Sequence, residues 1–208
     1  DFNQINKTMV LYNNISSRAI ALSKEPPIRL SQDKKILGYV GSLYAEGKGL
    51  NYLISAFHII KQKIPESMLV IVGDGPDKDE LISLVRKLDL SNDVIFTGFK
   101  KNPIAYMKGF DILILPSLHE GCSQALLEAL CSDTPVLGSN IGGTPEVLGY
   151  KELLFNAADA ESIASKVSYL FQNPVAYQEV VNLCKIRKNR FLFDWGEEVA
   201  KLVQEVVG

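Results

Sequence analysis

Two glutamates, Glu120 and Glu128, are the residues whose type and spacing best suit chemistry. They lie eight positions apart, and a predicted helix begins between them, near Ser123. The first amides of a helix have no partner inside it, so those of Gln124 and Ala125 could bind a phosphate. Glu128 follows roughly one to two turns later, close enough to accept hydrogen bonds from hydroxyls of the same ligand. The pattern predicts a sugar-nucleotide site in which Glu120 faces a sugar hydroxyl or the reacting carbon.

The neighbours of these glutamates favour a site over a plain helix start. Leucine and alanine flank Glu128, and a carboxylate among apolar groups needs a partner or a ligand. The alternative is that Ser123 only caps the helix and both glutamates are solvated. Gly121 and Cys122 shape the turn before the helix. His119 and Cys122 suggest a thiol nucleophile, but two residues in one loop are no evidence of hydrogen-bond geometry, so this chemistry is disfavoured.

A second candidate is the loop of residues 41–49, which contains three glycines and Lys48 and follows an apolar run. Glycine lets the backbone approach a ligand, and Lys48 supplies a compact positive charge. The loop therefore suits a phosphate, although it matches neither the Walker pattern nor the dinucleotide fingerprint. The alternative is an ordinary flexible turn with a solvated lysine.

Three more loops follow predicted strands. Residues 98–100, with Phe99 and Lys100, could offer backbone groups to a planar base, or form a plain turn with Phe99 as a partly buried plug. Residues 73–76 are best explained as an ordinary strand-to-helix turn. The paired glycines of residues 140–146 could line the same cleft as Glu120 or form a tight connection.

Short apolar runs alternate with amphipathic helical patterns from residue 36 to residue 155. This alternation predicts an α/β fold, a doubly wound, Rossmann-like parallel sheet of about six strands in the order 3-2-1-4-5-6. Such sheets bind ligands at the carboxyl ends of the strands, near the switch point between strands one and four. Those two strands end at Gly41 and Pro116, beside the candidate loops. Additional helices are predicted at about 159–172, 175–190 and 194–207.

The chain divides into three predicted segments. Residues 1–33 are an interdomain connector with residues 15–33 mostly loop, residues 34–192 are the Rossmann-like domain, and residues 193–208 are a final helix with an apolar stripe. The net charge of −2 over 208 residues disfavours nucleic-acid binding. The three cysteines have neither the number nor the spacing of a disulfide framework or a zinc site, which favours a reducing cytosol and no metal. The sequence also shows no signal peptide and no membrane-spanning apolar run, so we expect a cytoplasmic location.

Several motifs between residues 36 and 148 follow one another in a distinctive order. They are Tyr39-Val-Gly-Ser-Leu with Lys48-Gly, Ile71-Val-Gly-Asp-Gly-Pro, Phe96-Thr-Gly, Asp111-Ile-Leu-Ile-Leu-Pro-Ser, Glu120-Gly with Leu127-Glu-Ala, Thr134-Pro-Val and Gly142-Gly-Thr-Pro-Glu. Each motif is weak alone, but the set is highly specific. It resembles the C-terminal half of family 4 retaining glycosyltransferases of the GT-B fold, the glycosyl transferases group 1.

The resemblance implies transfer of a hexose-type sugar from a nucleoside diphosphate sugar, with retention, in glycan or polysaccharide biosynthesis. Lys48 would bind the pyrophosphate, the backbone near Phe99 and Lys100 the base, Glu120 the transferred sugar and Glu128 the ribose. Lys48 and Glu120 would be the catalytic pair. The other implied donor-binding residues are Gly41, Ser42, Gly121, Cys122, Ser123, Gln124 and Ala125. No metal and no cofactor is required, because a helix end and a cation already face the diphosphate.

Two positions depart from the family's pattern. Ser42 stands where an arginine is usual, so one phosphate cation is missing unless Lys100 or Lys101 replaces it. Cys122-Ser-Gln-Ala stands where Phe-Gly and apolar residues are common, so donor contacts there could differ.

The chain also has about half the family's length, and the acceptor-binding N-terminal half, to which the final helix would cross, is absent. We expect weak binding of a nucleoside diphosphate and no turnover by this chain alone; the full-length enzyme could touch the membrane surface. The alternatives are a non-catalytic nucleotide-binding subunit that needs a partner chain, and half of a sugar-nucleotide epimerase.

Overall fold

In a computed structural model, which describes residues 13–207, the chain is built around a six-stranded parallel sheet. The strands are β1 (Lys35–Val40), β2 (Ser67–Val72), β3 (Val94–Gly98), β4 (Ile112–Leu115), β5 (Val136–Ser139) and β6 (Leu154–Phe155). Their order in the sheet is β3-β2-β1-β4-β5-β6. The predicted doubly wound α/β fold and its strand order are therefore confirmed.

Helices connect the strands and extend beyond them. Within the described residues they are α1 (Ser17–Ser23), α2 (Ala45–Lys48), α3 (Leu50–Lys63), α4 (Lys78–Lys87), α5 (Pro103–Met107), α6 (Gln124–Cys131), α7 (Thr144–Leu148), α8 (Ala160–Gln172), α9 (Pro174–Arg190) and α10 (Trp195–Val207). A 3₁₀ turn, Lys151–Leu153, precedes β6. The helices predicted near the C-terminus are confirmed as α8, α9 and α10.

Apolar side chains on both faces of the central strands form the core. Every residue of β2 is buried, because helices cover both faces of a parallel sheet. One helix group contains α3, which packs against α4 and α8, and another contains α6, which packs against α1 and α9. The sequence has apolar residues at helical spacing over α3, and all of them are buried, namely Leu50, Leu53, Ile54, Phe57 and Ile60. The helical spacing in the sequence thus identifies the buried face of α3 correctly.

The switch point of the sheet lies between β1 and β4. β1 pairs with β2 on one side and with β4 on the other, where Leu37 is the partner of Ile112. The loops that follow β1 and β4 therefore meet at the carboxyl edge. Gly49 shows how closely they meet, since its φ is +62° and a Cβ there would lie 2.2 Å from the carbonyl oxygen of Pro116. Only glycine fits that position without strain.

Three local expectations need correction. The predicted loop of residues 15–33 contains α1, because Ser16 caps the helix by accepting from the amide of Ala19, and Ile15 and Ala19 are buried. The loop of residues 41–49 contains the short helix α2, which was not predicted. The apolar pattern predicts a sixth strand over Glu152–Phe155, but β6 is shorter because the 3₁₀ turn occupies Lys151–Leu153. Residues 1–12 of the predicted connector lie outside the described residues.

The segment before β1 is attached to the sheet domain by polar contacts. The amide of Ile28 donates to the carbonyl of Ala105 at 2.7 Å, and Arg29 pairs with Asp111 at 3.1 Å. The segment boundaries at residues 33 and 192 stay predictions. In α10 the side chains of Trp195 and Val203 are exposed. None of the helices in the described range has both the length and the apolarity needed to cross a membrane.

Candidate functional site

The two predicted catalytic residues are in direct contact. The Nζ of Lys48, at the end of α2, lies 2.9 Å from Oε2 of Glu120, in the loop after β4. Their side chains are 29% and 13% exposed, so the pair is sheltered but open to solvent on one side. In such a place charge interactions are stronger than in bulk water. The switch point of the sheet thus brings a cation and a carboxylate together.

Contacts between the two loops position this pair. The amide of Leu118 donates to the carbonyl of Gly47 at 2.9 Å, which fixes the β4 loop against α2. The hydroxyl of Ser117 donates to the same Oε2 of Glu120 at 3.2 Å, and Ser117 is fully buried. Sequence reasoning did not name Ser117 as a site residue. Its place three residues before Glu120, in the loop that follows β4, is the signal that could have identified it.

The loop after β5 supports Glu120 from the other side. The amide of Gly143 donates to the carbonyl of Glu120 at 2.9 Å. A Cβ at Gly143 would lie 1.8 Å from the carbonyl oxygen of Gly121, so a side chain there would displace the backbone. Residues 140–146 therefore contact the Glu120 loop, and a role for them in lining the donor cleft stays a prediction.

A cleft of about 310 Å³ brings together four of the predicted donor residues, Gly41, Ser42, Phe99 and Lys100. The rest of its lining is largely apolar: Val40 and Val72 end β1 and β2, Gly73 and Asp74 follow β2, and Pro103 begins α5. A planar group could enter such a cleft between apolar walls.

Two expectations about this cleft change. Phe99 is 74% exposed, so the interpretation of Phe99 as a partly buried plug is wrong. The residue follows the carboxyl end of an outer strand, where little packs over it. Lys100 lines the cleft beside Ser42, with its Nζ 5.8 Å from the centre of the Tyr106 ring. Lys101 is exposed and is not among the residues that line the cleft.

Tyr39 connects the cleft to the ion pair. Its hydroxyl donates to the carbonyl of Ser42 at 2.8 Å, which fixes the first turn of the loop after β1. Burial raises the pKa of Tyr39 far above its usual value, and the negative charge of Glu120 raises it further. Glu120 is therefore close enough to act on Tyr39 electrostatically. Sequence reasoning missed this role of Tyr39, for which an aromatic hydroxyl inside an otherwise apolar strand is the signal.

The turn before α6 holds the other predicted residues. Ser123 caps α6, since its hydroxyl accepts from the amide of Leu126 at 3.5 Å, and Gln124 and Ala125 begin the helix. Burial raises the pKa of Cys122, with a further rise from the carboxylates of Glu120 and Glu146 and an opposing effect of hydrogen bonds with Asn13. A protonated thiol is a poor nucleophile, which agrees with the disfavoured role of Cys122.

Glu128 lies in the second turn of α6. Its side chain is half-buried, and burial raises its pKa while Arg18 on α1 lowers it. Among the described residues, no hydrogen bond or ion pair joins Glu128 to Lys48 or Glu120. The same part of the chain contains no group of three or more histidine, cysteine, aspartate or glutamate side chains arranged to hold a metal ion.

Comparison with known proteins gives a family match. The family described as glycosyl transferases group 1 matches residues 23–188. One curated relative is the N-acetylgalactosamine-N,N'-diacetylbacillosaminyl-diphospho-undecaprenol 4-alpha-N-acetylgalactosaminyltransferase of Campylobacter jejuni. It is 32% identical over 188 residues, which cover 89% of this chain and 50% of the relative. The chain spans about half or less of the length of the first curated relatives that it matches.

Solved structures with the same fold include two informative neighbours. The Anabaena protein HepE in complex with UDP superposes with a TM-score of 0.76 at 20% identity, covering 89% of this chain and 55% of that one. The second is the C-terminal domain of a glycosyl transferase group 1 family protein from Francisella tularensis. It superposes with a TM-score of 0.68 at 23% identity, covering 83% of this chain and 90% of that one. At these identities the likeness shows the fold alone.

Proposed function

Since this chain belongs to the glycosyl transferases group 1 family, we propose that it carries the donor-binding site of a retaining glycosyltransferase. The observation that carries the proposal is the Lys48–Glu120 pair beside the cleft at the carboxyl edge. This edge is where doubly wound sheets bind their ligands. The ligand would be a nucleoside diphosphate sugar, as the UDP bound by the structural neighbour HepE suggests.

The donor would lie across the switch point. Its base would enter the cleft beside Phe99 and Lys100, where apolar walls and an exposed aromatic ring suit a planar group. Its diphosphate would then meet Lys48 and the first amides of α6, at Gln124 and Ala125. In this arrangement Gly41, Ser42, Gly121, Cys122 and Ser123 form the walls between base and sugar.

Glu120 and Glu128 would bind hydroxyl groups of the donor. Glu120 would contact the transferred sugar once the diphosphate attracts Lys48, because Ser117 still holds the carboxylate in place. Glu128 would accept from the ribose, and the burial that raises its pKa favours a hydrogen-bonding partner there. This role requires the ligand to reach α6 below its first turn.

Catalysis would rest on stabilising the departing diphosphate. As the bond to the sugar breaks, negative charge grows on the leaving oxygen, and positive charge spreads over the sugar ring in an oxocarbenium-like centre. Lys48 and the helix amides are fixed donors that would stabilise the first charge. Glu120 is a carboxylate that would stabilise the second. The scheme requires no metal ion.

The acceptor-binding part would lie outside this chain. The matched segments cover only 39%, 50% and 36% of the first curated relatives, which supports a second domain that supplies the acceptor pocket. A hexosyl transfer in glycan biosynthesis is the activity proposed for the whole protein, in line with the Campylobacter relative. We expect the 208-residue chain to bind the donor nucleotide without transferring sugar.

Calorimetric titration with UDP, GDP and ADP tests the proposal. At least one of the three should bind at millimolar concentrations. Lys48→Ala should weaken that binding roughly tenfold or more, since charge-assisted hydrogen bonds contribute about 1.5–3 kcal/mol. Lys63→Ala, which removes an exposed lysine from α3, is the control and should change nothing. Failure of all three nucleotides to bind would refute the donor site, and an unchanged affinity in Lys48→Ala would refute the role of Lys48.

A further inference from the structure

A second cleft, of about 500 Å³, lies between the carboxyl ends of β5 and β6 and helix α8. Two of its residues directly follow strands, namely Asn140 after β5 and Asn156 after β6. Its other wall is one face of α8, where Ser162, Lys166 and Tyr169 recur at helical spacing. The proposed donor site uses none of these residues.

Positive charge distinguishes this cleft. Lys151 and Lys166 line it, and no aspartate or glutamate does. Neither lysine forms an ion pair within the part of the chain that the structure describes. Burial lowers the pKa of Lys166, while the nearby charge of Glu152 raises it. An anion bound beside Lys166 would therefore stabilise an ammonium group that has already lost part of its water.

The uncharged groups of the cleft suit a sugar. The amides of Asn140 and Asn156 supply donors and acceptors that match hydroxyl groups. Tyr169 is 56% exposed, and its hydroxyl accepts from Nδ2 of Asn173 at 3.3 Å, which restrains the ring. The face of a restrained aromatic ring packs well against the C–H face of a pyranose.

We propose that this cleft binds an anionic saccharide, a sugar that carries a phosphate or a carboxylate. Its position suggests the use. Asn140 lies two residues before Gly142, so their Cα atoms are at most about 8 Å apart, and the Gly142–Gly143 pair contacts the Glu120 loop. A saccharide held here would have one end directed toward the reacting end of the donor site. As an additional contact for the acceptor, beside the pocket that the second domain would supply, this role rests on the proposed function, whereas the binding itself does not.

Nuclear magnetic resonance titration of the isotope-labelled chain tests the binding. Glucose 6-phosphate, glucuronate, glucose and inorganic phosphate are added in separate arms, and the amide signals of Asn140, Asn156 and Lys166 are followed. The two acidic sugars should shift these signals, and neutral glucose and free phosphate should bind more weakly. The comparison of glucose 6-phosphate with glucuronate identifies which anion the cleft prefers.

Lysine variants connect the binding to the cleft. Lys151→Gln and Lys166→Gln should each raise the Kd for the acidic sugar roughly threefold to fivefold, the size expected for one solvent-accessible ion pair. Lys185→Gln, which changes an exposed lysine of α9 outside the cleft, should leave the Kd unchanged. The proposal would be overturned if the acidic sugar bound all three variants with equal Kd. It would also be overturned if the acidic sugar shifted the amide signals of Gly41 and Phe99 only.

Two further outcomes are informative. Inorganic phosphate that binds as tightly as glucose 6-phosphate would overturn sugar recognition, since only the anion would then matter. Lys48→Ala should weaken UDP binding and leave the acidic sugar unaffected. If UDP fails to bind while the acidic sugar still shifts Asn140 and Asn156, the proposed function fails and the second cleft stands.

Discussion

The ammonium of Lys48 lies 2.9 Å from a carboxylate oxygen of Glu120, although 72 positions separate the two residues in the chain. Under the proposed function each of them needs another partner when the donor binds, because Lys48 would turn to the diphosphate and Glu120 to the sugar. The ion pair therefore competes with the ligand for the cation. Ser117 also bonds to Glu120, so the carboxylate stays in place when the lysine leaves.

This competition predicts that Glu120→Gln tightens the binding of UDP. A neutral amide holds the ammonium of Lys48 less strongly than a carboxylate does, so less free energy is lost when Lys48 turns to the diphosphate. Partly exposed ion pairs contribute up to about 1 kcal/mol, which corresponds to an affinity gain of up to roughly fivefold. Calorimetry with UDP measures the gain directly.

A second variant tests whether the direct Lys48–Glu120 contact or the overall negative charge near the loop governs the affinity for UDP. Glu46→Gln removes a negative charge from the same loop, but Glu46 is exposed and bonds to Tyr44 instead of Lys48. Its effect on the Kd of UDP should be much smaller. Equal gains in both variants would mean that the overall charge near the loop, and not the Lys48–Glu120 contact, governs the affinity.

Ser117 is predicted to matter for the sugar more than for the nucleotide. Ser117→Ala removes a buried hydroxyl that holds Glu120, so the carboxylate loses one of its two side-chain partners. The Kd of UDP for Ser117→Ala should stay within roughly twofold of the Kd for the unmodified chain. A UDP-sugar that binds the unmodified chain more tightly than UDP does should lose most of that advantage, which is about 1 kcal/mol or a fivefold difference in Kd. The measurement is the ratio of the two Kd values.

The control for Ser117 is another fully buried serine. Ser139→Ala removes a hydroxyl that donates to the carbonyl of Leu115 at 3.4 Å and does not contact Glu120. Both variants should lose similar stability, but only Ser117→Ala should change the ratio of the UDP-sugar and UDP affinities. A ratio that Ser117→Ala leaves unchanged would show that the serine has only a structural role.

The sequence predicts the strand order and the loops, yet it does not predict the contact between Lys48 and Glu120. Apolar runs and helical spacing locate the strands, and the doubly wound topology then places the ends of β1 and β4 side by side. The direction of a side chain depends on finer detail. Lys48 ends the unpredicted helix α2, whose Gly47 carbonyl bonds to the β4 loop.

Residues that act through tertiary contacts are also hard to predict. Ser117 and Tyr39 acquire their roles from partners that only the folded chain brings near, and neither lies in a pattern with a fixed spacing. The helix α1 was missed for a similar reason. Its seven residues include good helix formers but are too few to show a clear helical period, and burial of Ile15 and Ala19 against the domain stabilises it.

Ser42 gives a prediction of increased affinity. The residue is exposed beside the cleft, and its carbonyl accepts from Tyr39, a bond that a new side chain would leave intact. Ser42→Arg restores the cation usual in the family at this position and should tighten UDP binding roughly threefold to tenfold, with uridine unchanged, because an arginine can bind phosphate through two hydrogen bonds. Calorimetry with UDP and uridine measures both affinities.

Ser42→Gln is the matched comparison, since it adds length and polarity without charge. It should leave the affinity for UDP near that of the unmodified chain. If Ser42→Arg does not increase the affinity for UDP, the diphosphate does not lie near Ser42. If the affinity for uridine increases as well, the new side chain contacts the nucleoside instead of the phosphates.

The last prediction concerns Glu128 and pH. Burial raises the pKa of Glu128 in the folded chain above its value in the unfolded chain, which is about 4.3. Between the two pKa values the folded state binds more protons, so this group's destabilising effect grows as pH rises and is complete above the folded pKa. Below about pH 4 the carboxyl is protonated in both states and the effect disappears.

Glu128→Gln should therefore raise Tm at pH 7 and have little effect at low pH. The rise in Tm should be largest where Glu128 is ionised in both states and should shrink as pH falls, because the destabilising charge is then lost. Thermal unfolding of both proteins between pH 4 and pH 8 measures the difference, with Glu179→Gln, at an exposed position of α9, as the control. A difference in Tm that does not change with pH would show that the charge of Glu128 is not the cause.

If Glu128 binds the ribose, the more stable variant should also bind UDP more weakly, because the carboxylate that destabilises the free chain is the group that accepts from the ligand.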